Sequence, residues 1–412
     1  MKRLMTSAFI VAGLLLLSVP HVNSQQGVNP REATNQDVNS QQANNVDVLI
    51  PDSSVEGPSD RGLRAHTNHL IKTAQPEGGL GPNGGMTPAQ LRSFYNMPST
   101  GGANKIVIVD AFDYPTALND FNVFSAQFGL PQETSTNALA ATNTVFQVVY
   151  ASGKKPRGNC GWDQEAALDI EWAHAMAPNA KIVLVEAATN SFANLFAAVD
   201  VASAIVGAKE VSMSWGGSEF SSEASNDFHF PSGNGIVYFA SSGDTGGTTI
   251  YPSASPFVVA AGGTSVSTNA SGAFLDETGW SGSGGGPSKY EPRPLYQSNI
   301  ALIVGAARGI PDVSSDSDPN TGVAVFDSTR CQGVSGWLVF GGTSVASPCL
   351  AGMTNLSGHF SLDSTTELTH IYSLLGSPSF RDIVSGSAGS FNCAVGWDFV
   401  TGVGSPQGTT GL

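Results

Sequence analysis

Short apolar-rich runs alternate with longer mixed segments along most of this chain, and that alternation is the first guide to its fold. Runs at 105–110, 181–186, 237–240 and 257–261 are rich in Val, Ile, Phe and Ala, and 210–214 alternates Val and Met with polar residues, over lengths that suit buried strands. Between or beside them, 117–128, 163–176 and 193–205 carry helix-forming residues, with Pro178 placed to stop the second. Strands and helices in this order predict the α/β class, with a parallel sheet covered by helices on both faces. The 412 residues, 41% hydrophobic, suffice for one large domain plus tails.

The pattern differs at the N-terminus. Lys2 and Arg3 precede an apolar run from Ala8 to Val19, and Val22-Asn23-Ser24 offers small residues for cleavage. Residues 1–24 therefore read as a signal peptide cleaved after Ser24, which predicts a secreted protein, extracellular or periplasmic. No later run is long enough for a membrane helix, so stable membrane insertion is not expected. Residues 25–83 are Gln-, Asn- and Ser-rich at first, with few aromatics and no clear periodicity; they read as a disordered, low-complexity leader or linker in which Arg61, Arg64 and Lys72 are basic processing points. The catalytic domain is expected over 84–412. In an oxidising compartment Cys160, Cys331, Cys349 and Cys393 could form two disulfides, with three possible pairings. Cys349 suits a structural place in a buried helix.

Charge narrows the partners. Acids outnumber bases 33 to 18 and charged residues make up only 12% of the chain, a poor match for nucleic acid. In acid the carboxylates neutralise, and so few Lys and Arg limit the positive self-repulsion that unfolds many proteins there. A monomer working at acidic pH fits this balance.

Candidate chemistry centres on Gly341-Gly342-Thr343-Ser344-Val345-Ala346-Ser347-Pro348, which places a hydroxyl between a glycine turn and a helix start. Serine is a weak nucleophile until a base takes its proton. Glu165 and Asp169 supply a carboxylate base, because i, i+4 spacing stacks them on one helix face. Two acids so close should titrate as a unit, one pKa raised; the alternative is an exposed face carrying two solvated acids. The strand at 237–240 runs into a glycine-rich turn that leaves Asp244 at its carboxyl end, where open parallel sheets place their sites. Ionised, Asp244 would repel an oxyanion; protonated, it would donate a hydrogen bond to one. Otherwise it is a turn aspartate bonding nearby amides. The glycine-rich stretch 280–286 reads as a flexible surface near the substrate cleft, or as a plain connection.

These motifs resemble the sedolisin family of serine-carboxyl peptidases. Further segments similar to the family follow in order: Met86–Arg92, Val211–Gly216, Tyr290–Gln297 and Arg308–Val313. None of the seven histidines has the His-Gly-Thr setting of subtilisin-type enzymes. The resemblance implies a subtilisin-like fold, with Ser344 as nucleophile, Glu165 as general base and acid, Asp169 as its orienting partner and Asp244 as oxyanion stabiliser. It extends to an outer network of Asp110, where relatives carry glutamate, and Trp215. It also implies a Ca2+ site from Asp382 and Asp398 with the carbonyls of Ile383, Ala394 and Gly396. The expected function is a secreted endopeptidase acting on protein or peptide substrates at acidic pH through an acyl-enzyme. The alternatives are a tripeptidyl-type exopeptidase and a non-catalytic binding module. The family's long folded prodomain would not fit within 25–83, so another activation route is implied.

Overall fold

An unbroken apolar strand needs a greasy layer on each side, and Lys105–Ala111 has both. Ile106 and Ile108 enter one core and Val107 and Val109 the other, all fully buried. The computed structural model describes residues 47–412. Its main sheet runs in the order Phe274–Gly279, Val259–Thr268, Val237–Ser241, Ala208–Met213, Lys105–Ala111, Lys181–Ala187 and Phe146–Tyr150, with Val313–Asp316 also paired to Val259–Thr268. All these pairings are parallel except that of Phe274–Gly279. Helices Cys160–Met176 and Thr343–Ser357 contribute to the first core and Phe192–Ser203 to the second. Helices thus cover both faces, as the alternation of elements predicts.

The helix at 117–128 forms as Ala117–Phe128. The one expected at 163–176 starts earlier, at Cys160, because the Asn159 side chain accepts from the Gly161 and Trp162 amides and caps it. The strand expected at 257–261 is shifted to Val259–Thr268. No helix among the described residues is long and apolar enough to cross a membrane.

Residues 47–83 correct the expectation of a disordered leader. Val48–Leu49 pairs antiparallel with Leu70–Lys72, which pairs in turn with Val334–Gly341, while His66–Thr67 pairs with Trp215–Ser218. They belong to the same compact unit as the rest, which begins at Asp47. Strands of two and three residues held by main-chain hydrogen bonds leave no side-chain period to read. Residues 1–24, expected to be a signal peptide, and residues 25–46 lie outside the described residues.

The cysteines also resolve differently from the two bridges entertained. Cys160 and Cys331 form a disulfide between the start of a central helix and the Val323–Gly341 hairpin, while Cys349 is buried and unpaired and Cys393 is unpaired and partly exposed.

The 280–286 stretch is a surface loop only at Ser281, which is exposed; Trp280 and Ser283 to Gly286 are buried. Gly284 donates to the Gly243 carbonyl at 2.7 Å, and a Cβ there would strike the main chain of Ser242 and Gly243. Glycine is used for backbone-to-backbone packing under the turn that carries Asp244.

Candidate active site

The helix Cys160–Met176 is buried from Gly161 onward, so its acids are not a solvated face. Glu165 and Asp169 are both fully enclosed. Asp169 Oδ1 accepts from Ser214 Oγ at 2.8 Å, and its Oδ2 has no partner among the described residues. Burial, then the charges of Asp110 and Glu165, push its pKa well above the usual carboxylate range. Asp110, at the end of a neighbouring strand, is buried with neither oxygen hydrogen-bonded, and is pushed up by burial, Glu165 and Glu186. Asp110 and Asp169 share one dry region, which favours retained protons on these two carboxyls.

Trp215 serves this cluster indirectly. Its Nε1 donates to the Val109 carbonyl at 2.7 Å, pinning the strand just before Asp110. Asp110 acts on Asp169 through charge, with no hydrogen bond between them in this structure.

Ser344 lies in the first turn of Thr343–Ser357, just after Gly342 at φ 96°. Its hydroxyl donates to the Ser214 carbonyl at 3.2 Å. Ser214 therefore touches both the Ser344 hydroxyl and Asp169, a position that sequence reasoning did not assign, although Ser214 lies within a family-like segment. Asp244 stands on the other side: its Oδ1 accepts from the Thr343 amide at 2.7 Å and the Thr343 hydroxyl at 2.8 Å. Its Oδ2 is buried without a partner. Burial raises its pKa to about 8 despite the two Thr343 donors, so in acid it carries a proton. With Oδ1 engaged, that proton belongs on Oδ2.

A peptide carbonyl occupies the space between these groups. The Ser344 amide donates to the Asn68 carbonyl at 3.0 Å. A Cβ on Gly342 would collide with that carbonyl, with Asp244 Oδ2 and with His69 Cα, so all three converge on one spot that only glycine leaves open. The Asn68 amide donates to Glu165 Oε2 at 3.2 Å and to the Ser214 carbonyl at 3.3 Å. His69 Nδ1 pairs with Glu165 Oε2 at 2.8 Å, while Glu165 Oε1 has no partner. The His69 ring stacks on Phe340, centroids 5.3 Å apart. Sequence reasoning missed Asn68 and His69 because they fall inside the supposed leader.

The residues of the proposed calcium site gather in one place. Asp382 accepts from the Gly396 amide at 3.0 and 3.1 Å, and Asp398 Oδ2 from the Ala394 amide at 3.0 Å. Neither carboxylate is ion-paired, and the carbonyls of Ile383, Ala394 and Gly396 accept no hydrogen bond among the described residues. Gly396 adopts φ 88°, whereas Ala394 is not in the left-handed region. Asp398 Oδ1 also accepts from the Val400 and Thr401 amides; two carboxylates without a paired cation beside free carbonyls are the oxygen donors a hard cation would take.

Comparison with known proteins follows the same lines. The chain is 31% identical over 315 residues to kumamolisin of Bacillus sp. (strain MN-32), an alignment covering 68% of this chain and 56% of that protein. It is 29% identical over 347 residues to sedolisin of Pseudomonas sp. (strain 101), covering 72% and 58% respectively. The chain belongs to the sedolisin family. A tripeptidyl-peptidase of Aspergillus fumigatus is 29% identical over 235 residues, covering 42% of this chain and 37% of that one. The solved structure of Pseudomonas sedolisin, a serine-carboxyl proteinase complexed with two molecules of pseudo-iodotyrostatin, superposes with a TM-score of 0.65 at 24% identity, over 81% of this chain and 96% of that chain. That match gives the fold: the chain has the sedolisin, subtilisin-like α/β architecture. No family model matches the chain. The chain spans a little over half the length of the first two relatives, 56% and 58%.

Proposed function

We propose that this sedolisin-family chain is a serine-carboxyl endopeptidase that hydrolyses protein substrates at acidic pH. The observation that carries the reading is a backbone carbonyl, that of Asn68, held by the Ser344 amide at 3.0 Å beside the unpartnered Asp244 Oδ2. A peptide carbonyl in that position is where charge develops when a serine attacks it.

Attack by Ser344 Oγ requires its hydroxyl to leave the Ser214 carbonyl and its proton to pass to Glu165. Glu165 then gives the proton to the leaving amide nitrogen, and the resulting acyl-enzyme is hydrolysed by water with Glu165 as base. Asp169, steadied by Ser214, and Asp110 behind it stand next to Glu165 along the same buried region, and burial favours the protonated forms of those two aspartates. Asp244, protonated below a pKa of about 8, donates to the oxyanion alongside the Ser344 amide.

The endopeptidase reading draws on the course of residues 65–72. They run past Ser344 in extended form, with main-chain pairing to Trp215–Ser218 on one side and to Val334–Gly341 on the other. A cleft that accommodates chain on both sides suits internal bonds better than release of short N-terminal pieces. We further propose one Ca2+ at Asp382, Asp398 and the carbonyls of Ile383, Ala394 and Gly396, where it would tie two loops together, and secretion on the strength of residues 1–24.

The test is hydrolysis of a denatured protein from acid to neutral pH by wild type and Ser344→Ala. Serine-dependent internal cleavage confined to acid is expected. Equal turnover by the variant sinks the nucleophile assignment, and products limited to tripeptides favour the exopeptidase reading.

A further inference from the structure

One covalent bond spans the two elements that bring acid and nucleophile together. Cys160 opens the helix that carries Glu165 and Asp169, and Cys331 sits in the Val323–Gly341 hairpin, whose outgoing strand runs into Gly342, Thr343 and Ser344. Helix and hairpin also meet directly: Trp172 Nε1 donates to the Ala324 carbonyl at 2.9 Å, and the Phe326 amide to Glu171 Oε2 at 3.0 Å. The remainder of that contact is acidic. Asp163 and Glu171 belong to the helix, Asp327 to the hairpin, Asp120 to Ala117–Phe128, Glu186 to Lys181–Ala187 and Asp113 to the loop after Lys105–Ala111, and all six are buried. Tyr114 and Tyr150 border them, and Lys155, 3.1 Å from Asp113, is the one basic side chain ion-paired with the six among the described residues. Asp120 is satisfied by the Tyr114, Thr116 and Ser328 hydroxyls and the Ser328 amide. Glu171 Oε1, Glu186 Oε2 and Asp327 Oδ2 have no partner. Burial above all raises Asp163 and Glu186 to about 8 and Asp327 to about 7. Glu186 also lines a cavity of about 460 Å³ with Asp113, Tyr150 and the exposed Lys155, by which solvent reaches the cluster.

We propose that the Cys160–Cys331 bridge and this carboxyl contact are alternate clasps that keep the Glu165 helix and the hairpin delivering Ser344 in register: the carboxyls serve in acid, and the bridge takes over when they ionise. Asp163 and Asp327 are thus positioning residues, acting on Glu165 and Ser344 through the elements that carry them; that consequence for catalysis rests on the peptidase reading above. Docked, these acids hold protons that solvated carboxyls release from ~4 upward. Their contribution to docking is therefore complete below ~4 and lost as pH rises through about 7 to 8. Above that, Asp163 and Asp327 place like charges on the two elements, and Lys155, taken by Asp113, does not offset them. A cross-link that only constrains the unfolded chain behaves differently, because closing a loop across 171 residues has the same effect at every pH.

The experiment compares three full chains at pH ~5 and ~8: wild type, Cys160→Ser with Cys331→Ser, and that bridgeless chain with Asp163→Asn and Asp327→Asn added. Hydrogen exchange, corrected for intrinsic rates, follows the Phe326 and Ser328 amides, which donate to Glu171 and Asp120, against the Ile108 amide of the central strand. Relative to Ile108, protection of the two hairpin amides in the bridgeless chain should fall by about tenfold or more between pH ~5 and ~8, and the Asn pair should restore it. Equal loss at both pH values, or loss that the Asn pair leaves in place, overturns the proposal. The alkaline limb of kcat should move down by about one pH unit in the bridgeless chain, with KM unaltered, and return with the Asn pair; a limb that stays put overturns the positioning role. Should the bridgeless chain fail to fold, the Asn pair in wild type is the substitute: Tm should rise at pH ~8 and hold at pH ~5, and an unchanged Tm at pH ~8 overturns the proposal. Exchange and Tm do not depend on turnover, so the clasp holds or fails apart from the peptidase reading, which falls instead if Ser344→Ala hydrolyses protein as wild type does.

Discussion

Thr343 donates twice to one oxygen of Asp244, through its amide at 2.7 Å and its hydroxyl at 2.8 Å, and so dictates which oxygen of that carboxyl is free for substrate. An acid is useful here only while protonated, and burial keeps it so up to about 8. The residue preceding the proposed nucleophile therefore orients the proposed oxyanion donor as well as beginning the helix.

Replacement of Asp244 tests this directly. Asp244→Ala should lower kcat by ~10²–10³, the usual loss on removing one oxyanion donor. Asp244→Asn should retain much more activity, because the Thr343 donors demand an oxygen and so aim the amide nitrogen at the substrate. The fall of activity that accompanies Asp244 deprotonation near a pKa of about 8 should then disappear from the pH profile of the Asn variant. An unchanged alkaline limb would remove Asp244 from that role.

Gly342 is expected to tolerate no side chain. At φ 96°, with the Asn68 carbonyl, Asp244 Oδ2 and His69 Cα all converging on the missing Cβ, Gly342→Ala should reduce kcat/KM by ~100-fold or more while circular dichroism stays native. Near-wild-type kinetics would mean that substrate carbonyls bind elsewhere.

Stability should rise on acidification, against the common trend. Asp163, Glu186 and Asp244 are raised to about 8, Glu223 to about 9, and Glu291 and Asp327 to about 7, all chiefly by burial. Unfolded, these acids titrate near ~4. Between that value and the raised ones the native state binds more protons than the unfolded chain, so unfolding free energy falls as pH climbs. The contribution is complete below ~4 and is lost through about 7 to 9. His174, lowered to about 4 by burial, works in the opposite direction as pH drops below ~6.5, but it is outnumbered. Calorimetry from pH ~4.5 to ~8.5 should show a declining Tm; a rising one would contradict the account.

Calcium should act on stability more than on chemistry, since none of its proposed ligands belongs to the catalytic group. Chelation is expected to lower Tm by several degrees, on the order of 1 to 2 kcal/mol, and added Ca2+ should restore it. Asp398→Ala should abolish the response. Calorimetric titration showing no binding to the folded chain would dismiss the site.

Much of the fold was legible in local pattern because its strands are covered on both sides and its helices are capped by neighbours in sequence. Ile106 to Val109 must be apolar to be buried on two faces, and Asn159 or Ser191 must be polar to cap the helix that follows. The four proposed catalytic residues were also readable, since each stands in a motif whose spacing is set by one helix or one turn. What local pattern could not register was anything held by main-chain bonds between distant segments. Residues 47–83 read as a leader since their strands of two or three residues carry no period, and the glycines of 280–286 read as slack since close backbone packing looks, in sequence, like the absence of structure. Only the tertiary fold decided that Asn68 and His69 lie against Ser344, Asp244 and Glu165, because that meeting depends on which sheet edges were left unpaired and not on the identity of any neighbour along the chain.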